Sequence, residues 1–135
     1  MGTRETGVNS GGPHGELTTR TVAMPADTNA NGDIFGGWLL SQMDIAGGLA
    51  AKRLAGGRVA TIAIESMKFH LPVFVGDTLS VFVGLKRIGT TSMAFRVEAW
   101  VNRFSDGDLE KVTEGVFTYV AIDDKRRPRP VPRNP

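Results

Sequence analysis

The stretch that decides the fold is GGWLLSQMDIAGGLAAKRLAGG, residues 36–57. Between its two Gly pairs, apolar residues occupy nearly every side of a helix, which is typical of a helix buried within a domain. Its two cations, Lys52 and Arg53, lie near the end, where positive charge suits the helix dipole. The sequence therefore predicts one buried helix over residues 37–55, ended by the glycines that follow.

Strand-like segments surround this helix. A short Thr-rich segment precedes it and four long segments follow it, at residues 17–24, 58–71, 77–88, 93–104 and 110–122. Alternating apolar residues and short turns between the later segments indicate an antiparallel meander. Because a single apolar helix needs a sheet to cover it, we predict an α+β fold in which a curled antiparallel sheet encloses the helix.

The 135 residues, 41% hydrophobic and 22% charged, make one ordinary globular domain. We predict a disordered Gly-rich lead over residues 1–16, a single domain over 17–123, and a basic, Pro-rich tail over 124–135 that is extended and unpacked. The tail carries a net charge of +4, whereas the whole sequence carries +2. Residues 1–123 therefore sum to −2, which argues against nucleic-acid binding. So short a domain has a thin core, which favours an oligomer that covers the sheet edges.

Several classes of chemistry are excluded by what the sequence lacks. It contains no cysteine, so disulfides and a cysteine nucleophile are ruled out. It has no nucleotide phosphate loop, no serine-hydrolase elbow and no metal-ligand spacing, so we expect neither a metal nor a cofactor. No 18-residue apolar run and no apolar signal core occur, so we expect a cytoplasmic protein without a membrane span.

Asp44 is the first candidate for chemistry. It lies in the middle of the predicted helix, where a carboxylate is costly to bury unless it is paired or functional. It shares one helix face with Gly37, Ser41, Gly47 and Gly48. Since glycine costs roughly 1 kcal/mol in a helix interior, the Gly pair indicates that backbone or a ligand approaches this face closely. The alternative is a solvated or purely structural carboxylate.

Two further features lie just before the helix. Gly36 and Gly37 leave the first N–H groups open to an anion or an oxyanion, although a plain tight turn explains them equally well. Asn29, Asn31 and Asp33 belong to a loop where Asn and Asp commonly make turns. An Asn side chain there can also orient a water molecule or bind a carbonyl.

The segments AMPADTNANGDIFGGWLLSQMDIAGGLAA (23–51) and RVATIAIESMKFHLPVFVGDTLSV (58–81) resemble hotdog-fold acyl-CoA thioesterases of the YciA type, which are similar to mammalian cytosolic acyl-CoA hydrolases. The resemblance runs from about residue 18 to 132. It implies a long central helix wrapped by a five-stranded antiparallel sheet, and a dimer whose two sheets join. It also implies a hexamer built as a trimer of dimers, and hydrolysis of fatty acyl-CoA in which coenzyme A is part of the substrate.

The resemblance also implies roles for particular residues. Asp44 matches the catalytic carboxylate, as general base or nucleophile, and Asn29 matches a catalytic Asn supplied by the partner subunit. Gly37 matches the backbone donor to the thioester oxygen, and Phe35 stands where related hydrolases often have His. The candidates for contact with the substrate are Phe35, Gly36, Arg58, Lys68, Gly89, Thr90 and Ser92, with Arg87, Arg126 and Arg127 as further partners for the CoA phosphates.

Three other functions compete with a thioesterase. A hotdog-fold dehydratase for hydroxyacyl thioesters normally needs a His base near the helix, and neither His14 nor His70 is placed for it. A non-catalytic acyl-CoA-binding protein is disfavoured because both Asn29 and Asp44 are present. A nucleic-acid binder that uses the basic tail is disfavoured because residues 1–123 carry a net charge of −2.

Overall fold

The computed structural model describes residues 12–103 and 107–133. One α-helix and five strands run in chain order as β1 (Glu16–Val22), α1 (Gly36–Ala55), β2 (Val59–Phe69), β3 (Thr78–Ile88), β4 (Ser92–Asn102) and β5 (Leu109–Ala121). A short 3-10 helix, Pro25–Asp27, lies between β1 and α1. The strands form one antiparallel sheet in the order β1-β3-β4-β5-β2, and α1 packs against all five of them. The predicted α+β fold, with one central helix and a five-stranded sheet, is confirmed. Within the described residues, no helix has the length and apolarity needed to cross a membrane.

The core lies between α1 and the inner face of the sheet. Alternate residues of the central strands point toward the helix, as a period of two requires. They include Leu79, Val81 and Val83 on β3 and Met93, Phe95, Val97 and Val101 on β4. The helix contributes Leu39, Met43, Ala46 and Ala51, spaced so that they share its sheet-facing side.

The two ends of α1 follow from local residues. Phe35 occupies the N-cap position and makes no side-chain cap hydrogen bond, so the first-turn N–H groups have no cap from it. At the other end Gly56 adopts a left-handed φ of 70°, and its N–H donates to the carbonyl of Lys52 at 2.9 Å. A glycine tolerates this conformation without the steric cost of a side chain.

The prediction of a helix buried on all sides is only partly met by a single chain. Ile45 and Leu49 on α1 are about half exposed, because the sheet covers the opposite side of the helix. β2 is an edge strand, and its Ile62 is 57% exposed. The single chain therefore leaves apolar surface uncovered on its helix and along one edge of its sheet.

The predicted disordered lead over residues 1–16 is too long. Residues 1–11 lie outside the described part of the chain, but His14 already packs on the sheet. Its backbone N–H donates to Glu98 at 3.2 Å, and its Nδ1 lies 2.9 Å from the same carboxylate. A buried carboxylate needs hydrogen-bond partners. Glu98 therefore holds His14 in place, although the segment before β1 is rich in glycine.

The prediction of an unpacked tail is wrong for the described residues up to 133. The side chain of Val131 is 3% exposed, and its N–H donates to the carbonyl of Thr90 at 2.9 Å. Arg133 donates to the carbonyl of Gly89, and Arg129 to that of Ile122. A Pro-rich segment has few N–H groups, but each one left can pair with a free carbonyl at a turn.

Candidate active site

The start of α1 borders a cleft of about 340 Å³. Gly36 lines the cleft and Gly37 follows it in the helix; both are exposed, and a Cβ atom added at either position would meet nothing within 4 Å. Phe35, Gly36 and Leu39 line the cleft from the helix side, and Phe69 and Leu71 are among the residues that line it from the other. The cleft thus combines largely apolar walls with the positive end of a helix that has no side-chain cap.

Asp44 lies two turns beyond Gly37 and is half-buried. Its Oδ1 atom accepts a hydrogen bond from the Thr61 hydroxyl at 2.9 Å and another from the Tyr119 hydroxyl, also at 2.9 Å. Within the described residues, its Oδ2 atom accepts no hydrogen bond from the protein. One oxygen of this carboxylate is therefore fixed by two hydroxyls while the other is open to a ligand or water.

The Gly pair beside Asp44 has a direct structural cause. A Cβ atom at Gly47 would lie 2.3 Å from the Tyr119 hydroxyl, whereas one at Gly48 would lie 3.9 Å from the same ring. The sequence predicts that backbone or a ligand approaches this helix face closely, whereas the group that approaches at Gly47 is a side chain from β5. Tyr119 and Thr61 were not predicted from the sequence.

Asn29 lies in the loop before α1 and shapes that loop. Its side-chain oxygen accepts hydrogen bonds from the backbone N–H of Asn31 at 2.9 Å and of Asp33 at 3.1 Å. Its own N–H donates to the carbonyl of Asp33 at 2.7 Å. Asn29 therefore stabilises the turn, as the alternative interpretation predicts. Among the described residues of this chain, no hydrogen bond joins Asn29 to Asp44. The catalytic role of Asn29 stays a prediction.

The other predicted contact residues do not form one cluster in the single chain. Arg58 is exposed just before β2, and its carbonyl accepts the N–H of Ile122. Lys68 lines a different groove, of about 540 Å³, together with Lys86 and Arg96.

Gly89, Thr90 and Ser92 form the turn between β3 and β4, where the Gly89 N–H donates to the Ser92 carbonyl at 2.8 Å. The tail covers this turn through its bonds to Gly89 and Thr90.

Both histidines are paired with carboxylates, and His70 lines the cleft at the start of α1 whereas His14 lies outside it. His14 contacts Glu98, and the Nε2 atom of His70 lies 2.8 Å from Glu114. Across residues 12–103 and 107–133, no group of three or more His, Asp or Glu side chains is arranged to hold a metal ion.

The chain is similar to known thioesterases over most of its length. The family model described as the thioesterase superfamily matches residues 31–103. The acyl-CoA thioester hydrolase YciA of Salmonella typhimurium is 52% identical over 123 residues, which cover 89% of this chain and 92% of the relative. The hexameric thioesterase of Yersinia pestis is 52% identical, with a TM-score of 0.87, over 90% of this chain and 99% of that one.

A more distant relative carries a ligand. The acyl-CoA hydrolase from Staphylococcus aureus, solved in complex with butyryl coenzyme A and coenzyme A, is 29% identical with a TM-score of 0.78, over 84% of this chain and 70% of that one. Asn-to-Ala and Asp-to-Ala variants of the same hydrolase have also been solved. With this fold and these relatives, the chain belongs to the thioesterase superfamily, among the relatives of the YciA acyl-CoA thioester hydrolases.

Proposed function

We propose that this protein hydrolyses acyl-CoA thioesters to free coenzyme A and a carboxylic acid. The observation that carries the proposal is the Asp44 carboxylate, held at Oδ1 by two hydroxyls and open at Oδ2. It lies on the helix whose uncapped start borders an apolar cleft, although Asp44 itself does not line that cleft. Relatives at about 50% identity are named acyl-CoA thioester hydrolases, which supports the same substrate class here.

The helix start supplies the electrostatic part of the reaction. Its free N–H groups, with that of Gly37 foremost, polarise the thioester carbonyl and stabilise the negative charge that develops on its oxygen. Gly36 and Gly37 suit this task because they carry no side chain to obstruct the approach. The apolar residues of the cleft, Phe35 among them, accommodate the acyl chain or the pantetheine arm.

Asp44 supplies the proton transfer or the nucleophile. As a general base, its open oxygen takes a proton from water while the water oxygen attacks the carbonyl carbon. The C–S bond then breaks and the CoA sulfur leaves with the proton. As a nucleophile, the same oxygen attacks the carbonyl carbon and expels the thiolate, and water hydrolyses the resulting mixed anhydride. Neither route requires a metal ion or a cofactor.

We infer that the complete site needs a second copy of the chain. The uncovered apolar surface on α1 and along β2 provides an interface, and antiparallel pairing of two β2 strands would join two sheets. Asn29 from the partner subunit would then orient the attacking water or the carbonyl. Hexameric relatives support a hexamer, which we propose is a trimer of such dimers.

The phosphates of coenzyme A call for basic contacts. Arg58 lies just before β2. Lys68 lines the groove with Lys86 and Arg96, whose three positive charges outnumber the one carboxylate there, Glu114, and so favour an anionic group. The turn at Gly89, Thr90 and Ser92, where the Gly89 N–H already donates to the Ser92 carbonyl, offers the hydroxyls of Thr90 and Ser92 to the pantetheine or the phosphates. These contacts remain proposals.

Release of CoA thiol from short-, medium- and long-chain acyl-CoA tests the function. We expect Asp44→Ala to lower kcat about 100-fold or more, the usual effect of removing a general base. Asn29→Ala should lower it about 10- to 100-fold, because it removes one group that orients the reactants. The exposed Asp108 provides the matched control, and Asp108→Ala should retain full activity.

Two outcomes would contradict the proposal in different ways. If the wild-type protein bound acyl-CoA but released no thiol from any chain length, the protein would be a binding protein and not a hydrolase. If Asp44→Ala were folded and fully active, the hydrolase would remain but the role given to Asp44 would be wrong.

A further inference from the structure

Tyr119 is a buried side chain whose polar end meets the candidate carboxylate. It points inward from β5, and only 1% of it is exposed. Its hydroxyl donates to Asp44 Oδ1 at 2.9 Å and lies 3.1 Å from the backbone carbonyl oxygen of the same residue. Burial raises the pKa of Tyr119, and the hydrogen bond to Asp44 and its negative charge raise it further. The phenol therefore stays protonated over the working pH range and remains a donor.

The ring itself is fixed by packing. Phe95 meets it edge to face, with ring centroids 6.1 Å apart and an angle of 68° between the planes. Such an aromatic pair contributes stability beyond its buried area. Packing therefore restricts the rotation of the Tyr119 side chain, and this keeps its hydroxyl in place against the carboxylate.

Gly47 makes the approach of Tyr119 possible. A Cβ atom there would lie 2.3 Å from the Tyr119 hydroxyl, which is closer than real Cβ contacts, and 3.0 Å from Cζ and 3.1 Å from Cε1, which are tight, so the tyrosine would have to shift. Gly48, the next residue along α1, makes only an ordinary 3.9 Å contact with the same ring. Gly47 therefore leaves room for the tyrosine inside a helix, where glycine has a poor propensity.

We propose that Tyr119 is a positioning residue that, seated against Gly47, holds Asp44 Oδ1 and so makes Oδ2 the reactive oxygen. Thr61 supports the same oxygen from β2. Two hydroxyls on one oxygen occupy its lone pairs and fix the plane of the carboxylate, so that water or the thioester meets the other oxygen. This inference rests on the proposed function, in which Asp44 acts on the thioester.

Tyr119→Phe removes the hydroxyl and keeps the ring against Phe95. We expect kcat for acyl-CoA hydrolysis to fall about 10- to 100-fold, the usual effect of losing a hydrogen bond to a charged group. KM should stay within about twofold, since Tyr119 makes no contact with the substrate in this arrangement. A purely structural tyrosine would lower the melting temperature and leave kcat of the folded enzyme unchanged, and that result would overturn the inference.

The Gly pair provides a second test with its own control. Gly47→Ala should lower kcat because its new methyl group displaces Tyr119, whereas Gly48→Ala should leave kcat unchanged. In the Tyr119→Phe background, the effect of Gly47→Ala should shrink, since the closest clash is with the missing hydroxyl. Equal kcat in the two alanine variants would overturn the inference, and this comparison decides the matter if Tyr119→Phe does not fold.

The wild-type assay separates this inference from the function on which it rests. If wild type released no thiol, the proposed function would fail. If wild type were active and Tyr119→Phe matched its kcat, only the role of Tyr119 would fail.

Discussion

At the scale of single residues, Glu98 shows how one buried carboxylate holds a terminal segment in place. It is fully buried on β4 and accepts hydrogen bonds from Trp100 Nε1 at 2.9 Å and from the backbone of His14 at 3.2 Å. Burial alone would raise the pKa of Glu98, but the hydrogen bonds from Trp100 and His14, together with the charge of Lys111, outweigh it and lower the pKa. The ionised carboxylate therefore stabilises the folded state.

That pKa shift predicts an acid-dependent loss of stability. A carboxylate whose pKa is lower in the folded state contributes stability above its unfolded pKa, and loses it as pH falls through the folded pKa. Glu98→Gln should thus be less stable than wild type at pH 7, and the gap should close as the pH falls below about 4.5. Urea unfolding from pH 7 to pH 3 measures this, with the exposed Glu65→Gln as control. A gap that stayed constant with pH would contradict the prediction.

The residues of the candidate site divide into those that a local pattern can indicate and those that it cannot. Asp44 is conspicuous because a carboxylate in an apolar helix demands a reason, and Gly47 because glycine weakens a helix. Tyr119 lies 75 residues from Asp44 along the chain. Its contact depends on how β5 is placed against α1, which tertiary packing decides and no local pattern encodes.

At the scale of elements, the helix and the long strands could be predicted closely, and the terminal segments could not. The predicted helix over 37–55 is observed as Gly36–Ala55, because its apolar residues and flanking glycines are local signals. The last strand, predicted over 110–122, is observed as Leu109–Ala121. The prediction for the tail was wrong because a Pro-rich composition indicates only how the segment behaves on its own. Its hydrogen-bond partners are carbonyls of the turn at Gly89 and Thr90, which the composition does not reveal.

The packed tail predicts a specific loss of stability. Val131→Ala removes two buried methyl groups and should lower the free energy of unfolding by about 1–3 kcal/mol. Pro132→Ala, at the exposed neighbouring position, should change it by less than about 0.5 kcal/mol. Chemical denaturation of the two variants beside wild type gives both values. If Val131→Ala were as stable as wild type, the tail would not be part of the folded domain.

At the scale of the whole molecule, a single chain shows two features that the proposed dimer would explain together. Apolar surface at Ile45, Leu49 and Ile62 is exposed, and Asn29 forms no hydrogen bond with Asp44 of the same chain. The proposed dimer would cover this surface and supply Asn29 across the interface. It also explains why α1 is apolar on sides that its own sheet does not reach.

Mixed oligomers test whether the site is shared between subunits. Asp44→Ala and Asn29→Ala chains, whose separate activities are measured first, are co-expressed with different tags and purified together without selection for either pairing. If Asn29 acts on the partner's thioester, a mixed dimer has one site with both wild-type residues, so random pairing should restore about a quarter of the wild-type kcat per chain. Co-expression of Asp44→Ala with the double variant keeps every site defective and should restore nothing. Activity of the first mixture no higher than the sum of its parts would mean that each chain supplies both residues to its own site.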